Sequence, residues 1–460
     1  MVHEGAHEGA ILQAIGNTPL VELKNLDAGH CRLFAKLENQ NPTGSIKDRI
    51  GLSMIEAAER EGRIHPGATL IEATAGNTGL GLALAASQKG YRLILVIPDK
   101  MAQEKMLHLK ALGADCRITR SDVGKGHPDY YQDVAERLAR EMPGSFYVNQ
   151  FANPANPLAH EATTGPEIWV QCGQMLDAVV VGVGSGGTLT GLSRYFARVA
   201  PHVEMVLADP QGSVLADVVR TGGIRKEAGS WLVEGIGEDF VPPNCDLAHV
   251  RHAYEIADRE SFAAARELLR REGILGGSST GTLLAAALRY CREQTAPKRV
   301  VTLVPDSGNK YLSKMYNDAW LFEQGLLDRP RAGGVVDLIV RRYAEGSAVT
   351  VRAEDTLLHA YRRMKLFDVS QLPVMDGERL VGIVDESDLV QHVALDPSRF
   401  HDTVATAMVG PLETVAPDAP IADLLPVFAR DHVAIVAGRD GFVGLITRID
   451  LLNYLRKQLA

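Results

Sequence analysis

The stretch 178-AVVVGVGSGGTLTG-191 decides how this chain is read. It starts as a β-branched apolar run, passes through a glycine-rich turn and opens a helical pattern. A strand that feeds a glycine turn and then a helix is the unit from which parallel α/β sheets are built. Further strands are predicted at 69-TLIEA-73, 92-RLILVI-97, 203-VEMVLA-208 and 299-RVVTLV-304. These runs are continuously apolar rather than alternating, which implies a sheet covered by helices on both faces. In such a fold, ligands gather at the carboxyl ends of the strands.

With 460 residues, the chain is long enough for two or three domains. The net charge of −9 and the lack of a basic run exclude nucleic acid and anionic membranes as partners. The opening MVHEGAHEGA has no apolar core of the kind a signal peptide needs, and no apolar run is long enough to span a bilayer. Cys31, Cys116, Cys172, Cys245 and Cys291 are scattered and form no CxxC pair, so free thiols in a reducing cytoplasm are expected. His3 and His7 have helical spacing but lie in a polar end and are read as non-ligands; no metal site is expected.

At 325-GLLDRPRAGGV-335, Pro, Gly and Arg replace the periodic apolar residues, and a linker is placed there. The expected organisation is a catalytic domain over 1–325, a linker over 326–335, and two small modules over 336–397 and 398–460. The modules are an internal repeat: 371-QLPVMDGERLVGIVDESDLV-390 matches 432-HVAIVAGRDGFVGLITRIDLL-452, with Asp388 and Asp450 in corresponding places. A repeat present twice suggests two modules packed face to face.

Four local features carry the candidate chemistry. In 41-NPTGSIKDR-49, a turn places Lys47 where a helix begins, with Ser45 as its expected cap. In 73-ATAGNTG-79, small polar residues at a helix start make a site for a carboxylate. In 182-GVGSGGTLTG-191 the glycines match GxGxxG, and Asp209 closes the next strand, as in a dinucleotide fold. The run Gly184-Ser185-Gly186-Gly187-Thr188 equally suits one compact phosphate, and the motif alone leaves both readings open. In 305-PDSGNKYLSKMYND-318, Ser307 stands at a strand end. Pyridoxal phosphate, bound as a Schiff base, accounts for the lysine, the phosphate cradle, the carboxylate cradle and the serine. A nicotinamide accounts for one of them.

The chain resembles the β-family, fold type II, of pyridoxal-phosphate enzymes, and within it the cystathionine β-synthases. The stretches that carry the resemblance include 15-IGNTPLVEL-23, 36-KLENQNPTGSIKDR-49, 72-EATAGNTGLGLA-83, 149-NQFANPANPLAHEATTGPEI-168, 234-EGIGEDFVP-242, 276-GGSSTGT-282 and 304-VPDSGNKYLSK-314. The tail is similar to paired CBS-type regulatory domains. The resemblance implies an α/β fold of two parallel-sheet subdomains followed by the CBS pair. It implies that Lys47 carries the cofactor, that Asn77 meets its ring hydroxyl oxygen, that Gly184 to Thr188 hold its phosphate and that Ser307 meets its pyridine nitrogen. Thr74, Ala75, Asn77, Thr78 and Gln150 would hold the substrate carboxylate. Ala75 stands where the family usually has Ser, so weaker carboxylate binding is expected. Barely ten residues precede the core, so no haem is expected.

The implied reaction replaces the hydroxyl of L-serine by the thiol of L-homocysteine, giving L-cystathionine, with release of hydrogen sulfide from cysteine open to the same chemistry. The alternatives are an O-acetylserine-dependent synthase and a nucleotide-sensing protein without catalysis. Glu238, beside Asp239, is a candidate for the amino group of homocysteine. In the tail, Thr447 and Asp450 form the expected ribose-binding pair of an adenosine-type ligand such as S-adenosylmethionine, whereas Asp385 replaces the Thr in the first repeat. A homo-oligomer, at least a dimer, is also implied.

Overall fold

The computed structural model describes residues 10–74, 76–99, 101, 103–124, 126–329, 332–410 and 412–456. His3, His7 and Ala75 lie outside the described residues. The chain forms two compact units, which divide between Tyr316 and Asn317.

The first unit holds ten strands: β1 (Leu20–Glu22), β2 (Arg32–Lys36), β3 (Thr69–Ala73), β4 (Arg92–Pro98), β5 (Asp115–Thr119), β6 (Ser145–Tyr147), β7 (Ala178–Val181), β8 (Glu204–Pro210), β9 (Val250–Ile256) and β10 (Arg299–Leu303). They make two sheets, in the orders β1-β2-β10-β7-β8-β9 and β5-β4-β3-β6. Every pairing is parallel except β1 with β2. The central strands β3, β4, β7, β8 and β10 were legible as apolar runs because helices cover both faces of the sheets: all five residues of β3 and all four of β7 are buried.

Two helices set the frame of the site. Lys47–Arg60 and Asn77–Lys89 pack in direct contact through Gly51 and Gly81. A Cβ on Gly81 would stand 2.4 Å from the carbonyl oxygen of Lys47, and one on Gly51 would stand 2.5 Å from Gly81 itself. Only glycine lets the backbones approach this closely. Around the crossing, Ile50, Met54, Leu70, Leu80, Leu82 and Leu95 form a buried core; burying each such side chain stabilises the fold by about 1.5–3 kcal/mol.

A buried ion cluster fixes the Lys47 helix from the other side. The Arg49 guanidinium donates to both Glu38 oxygens at 2.8 Å and to both Glu167 oxygens at 2.7 Å. Lys36 donates to Glu167 at 2.6 Å. The burial of Glu167 works against its charge, but Arg49 and Lys36 outweigh it and hold its pKa down at about 2.

The second unit contains two copies of one motif. In the first, Val351–Arg352 pairs in parallel with Gln371–Asp376, which pairs antiparallel with Arg379–Asp385. In the second, Thr414–Val415, Ala434–Gly438 and Gly441–Ile446 repeat that order. Each hairpin has a register shift at the same place, Val374/Met375 and Val436/Ala437. Met375, Ile435 and Phe442 form a shared core between the copies, so the modules pack face to face. The helix Asp318–Glu323 belongs to this unit, Gln324 accepts a hydrogen bond from Arg456 at 3.2 Å, and Val335 is fully buried.

Candidate active site

Four segments meet at the carboxyl ends of β10, β7 and β3. The turn before Lys47 is strapped to the segment after β10. Ile46 N donates to Pro305 O at 2.8 Å, and Ser307 N donates to Gly44 O at 2.9 Å. Asp48 accepts from Thr43 N at 2.7 Å and from the Thr43 hydroxyl, which closes the turn. The expected Ser45 cap is replaced by this device: Ile46 occupies the cap position, and the Ser45 hydroxyl accepts only from Lys47 N at 3.3 Å. The half-buried Lys47 is aimed by these bonds into a cavity of about 550 Å3, open solvent at its mouth included.

The cavity wall opposite is the glycine-rich loop. Gly184, Gly186, Gly187 and Thr188 line it, and they start the helix Gly187–Val199. Gly186 has φ +86°, which turns the loop so that successive N–H groups face one side. Ser185 is buried beside this wall and accepts from Asn156 at 2.9 Å. The Thr188 hydroxyl meets the buried His160 ring at 3.2 Å.

Asn77 also lines the cavity, and Thr74, Thr78 and Gln150 are buried around it. The Thr78 hydroxyl donates to Gln150 at 2.6 Å, and the Thr74 hydroxyl accepts from Gly76 N at 3.1 Å. Of the residues expected to hold a carboxylate, Thr78 and Gln150 are thus joined directly, while Thr74 closes its own turn.

Ser307 is placed differently. It is absent from the cavity lining; its hydroxyl accepts from Asn309 N at 3.3 Å and caps the short turn Gly308–Tyr311. Ser279 lines the cavity instead, in the first turn of the helix Ser278–Arg292. Thr188 and Ser279 are thus the two side-chain hydroxyls among the lining residues. Glu234 is a second lining residue that the sequence did not single out. Its burial raises its pKa, but Lys105 and Lys314 outweigh that and keep it ionised; Lys314 donates to it at 2.7 Å. Lys105 is buried against it.

Glu238 is half-buried, with its backbone held by Ser213, and its charge acts on Lys47, Tyr130 and Tyr131. The Lys47 amine is desolvated, which lowers its pKa to about 8 against the opposing fields of Asp306 and Glu238. A lysine in that range offers a neutral amine near physiological pH. Among the described residues no cluster of His, Cys, Asp and Glu has metal-binding geometry, and no helix is long and apolar enough to cross a membrane.

In the second unit, Thr447 and Asp450 line a cleft of about 1400 Å3, open solvent included, together with His432 and Phe442. Asp450 accepts from Thr447 N at 2.7 Å and from the Thr447 hydroxyl at 2.6 Å. In the other copy, Asp385 and Asp388 are joined in a reciprocal cap of the helix Glu386–Val393.

The residues present fit pyridoxal phosphate. A desolvated lysine, a glycine-built loop at a helix start and the Asn77 amide share one cavity. The comparisons with known proteins agree. Residues 11–306 match the family "Pyridoxal-phosphate dependent enzyme", and 340–395 and 404–457 each match the CBS domain. The chain belongs to the pyridoxal-phosphate-dependent enzymes of fold type II that carry a C-terminal CBS pair.

Within that class it is similar over nearly its whole length to cystathionine beta-synthases. It is 36% identical to that of Dictyostelium discoideum, over 97% of this chain and 92% of the relative. It is 34% identical to that of Saccharomyces cerevisiae, over 97% of each. Among solved structures, a hydrogen sulfide-producing enzyme from Fusobacterium nucleatum is 35% identical with a TM-score of 0.62, over 66% of this chain and 99% of that one. An O-ureido-L-serine synthase is 31% identical with a TM-score of 0.63, over 70% and 97%.

Proposed function

We propose that this protein is a pyridoxal-phosphate-dependent β-replacement enzyme. It joins L-serine to L-homocysteine to give L-cystathionine and water, and it can release hydrogen sulfide from cysteine. The observation that carries this reading is the convergence of Lys47, Asn77 and the Gly184–Thr188 loop on one cavity in a chain similar to cystathionine β-synthases from end to end.

Bound pyridoxal phosphate supplies an electron sink for the charge left at a substrate's α-carbon. Lys47 has an amine that can take the α-proton and return a proton to the departing hydroxyl. Thr74, Thr78 and Gln150 orient the substrate carboxylate, with Ala75 next to Thr74 in sequence. Ile46, Ile236, Leu283, Leu303 and Pro305 line the rest of the cavity and limit water there. Ser279 presents a neutral group to the ring nitrogen. A carboxylate there would hold that nitrogen protonated, whereas a hydroxyl favours prompt loss of the β-substituent. Glu238, within electrostatic reach of Lys47, attracts the amino group of homocysteine and does nothing for sulfide.

In the second unit, an adenosine-type ligand such as S-adenosylmethionine binds beside Thr447 and Asp450, the carboxylate taking its ribose hydroxyls. The same reading makes the protein a cytoplasmic homo-oligomer, at least a dimer, without haem.

The test is product formation by the purified holoenzyme with L-serine or O-acetyl-L-serine, each paired with homocysteine or sulfide. Serine with homocysteine yields cystathionine fastest if the reading is right. Turnover only with O-acetylserine would replace it by a cysteine-synthase-like activity, the reading to which the likeness to O-ureido-L-serine synthase points.

A further inference from the structure

Beside Asn77 lies a further buried lysine. Lys310 is 9% exposed, and its ammonium donates to Asn77 Oδ1 at 2.7 Å and to Gly44 O at 3.4 Å. The other end of the same amide donates from Nδ2 to Asp306 Oδ2 at 2.8 Å. Asp306 is fixed in turn by the Tyr311 hydroxyl at 2.7 Å, and its Oδ1 is buried with no hydrogen-bond partner. Asn77 lines the cavity while neither Lys310 nor Asp306 does.

An amide side chain can be turned over at little cost when its surroundings are neutral. Here a cation sits on its oxygen and an anion on its nitrogen. The inverted amide would set an NH2 against an ammonium and an oxygen against a carboxylate, losing two charge-assisted hydrogen bonds at once. The burial of the Lys310 ammonium disfavours its charge, and Asp306 and Asp48 offset that cost while Lys105 opposes them. A buried lysine retained at this cost has a use other than solubility.

We propose that Lys310 is a positioning residue for the cofactor: it pins Asn77 Oδ1 away from the ring, so that the second N–H of Nδ2 always faces the cofactor's ring oxygen. This rests on the reading of the cavity as a pyridoxal-phosphate site. The ammonium also draws electron density through the amide, which makes that N–H a stronger donor to an anionic ring oxygen.

Full-length apoprotein is titrated with pyridoxal 5'-phosphate, and the dissociation constant and the absorbance spectrum of the bound cofactor are recorded. The proteins compared are wild type, Lys310→Met, Asn77→Ala and the double variant. Met nearly matches the lysine stem in volume, and urea unfolding of each apoprotein checks that it folds. Lys310→Met is expected to weaken binding about tenfold. It should also change the balance of the cofactor's two protonation forms in the spectrum. On the Asn77→Ala background it should add nothing, because the two residues act as one unit. An unchanged dissociation constant and spectrum for a folded Lys310→Met, or an effect that adds in full to that of Asn77→Ala, would overturn the proposal while leaving the site reading intact. Wild-type apoprotein that fails to bind pyridoxal phosphate would overturn both.

Discussion

The Lys47 cavity and the Asp450 cleft are both places where a helix start meets a strand end, yet they are built on different length scales. In the cleft, Asp450 spends a carboxylate oxygen on Thr447, three residues away on its own helix start. In the cavity, Asn77 is held by Asp306 and Lys310, which are 229 and 233 residues away in sequence. Lys47 is aimed by a strap to Pro305 and by a helix crossing at Gly81. A binding cleft can be assembled from local turns and still admit ligands through a wide opening. A site that moves protons needs groups fixed from several directions, and those contacts come from distant parts of the chain.

The largest expected loss tests that distant bracing. Arg49→Met leaves Glu38 buried without its cation and Glu167 with Lys36 alone, and should destabilise the first unit by about 3–5 kcal/mol in urea unfolding. A change below about 1 kcal/mol would mean that the cluster is ornamental. The same cluster sets an acid limit. Glu167 titrates at about 2 in the folded chain against an ordinary 4.5, so it binds its proton more readily when unfolded. Its stabilisation, about 3 kcal/mol, is complete above pH about 4.5 and is lost as the pH falls toward 2. In Arg49→Met this acid sensitivity of the melting temperature should shift to higher pH.

Next in size is the choice between two serines. Ser279→Asp should cut β-replacement by about 10²–10³-fold, as losing a placed polar group in a dry site does. Ser307→Asp should cost less than about tenfold. The reverse order in kcat would return the ring nitrogen to Ser307.

The smallest effect belongs to the cleft. Asp450→Ala should abolish binding of S-adenosylmethionine by calorimetry and leave cystathionine formation without that ligand unchanged. Retained binding would place the ligand elsewhere.

What was legible in the sequence follows the same division of scale. The buried strands announced themselves as apolar runs, and the CBS repeat through its paired Asp residues, because those signals are contained within about twenty residues. Of the strands left unread, Leu20–Glu22, Asp115–Thr119, Ser145–Tyr147 and Val250–Ile256 are sheet edges, half-wetted and short or charged. Arg32–Lys36 is interior, but charged residues at both of its ends masked it. In the site, Lys47, Asn77 and the glycine loop could be read from local patterns. The position of Ser279 rather than Ser307, and the bracing by Lys310, could not: a serine at a helix start and one at a strand end look alike until packing brings one of them to the cavity.

The central claim is that Lys47 is the residue that holds the cofactor and handles the proton. Borohydride reduction of the pyridoxal-phosphate-loaded protein, followed by peptide mass analysis, tests it most directly. The account predicts one phosphopyridoxyl group, on the peptide containing Lys47, and no cystathionine formation by Lys47→Ala. A label on Lys105, Lys310 or Lys314 with Lys47 unmodified would contradict it.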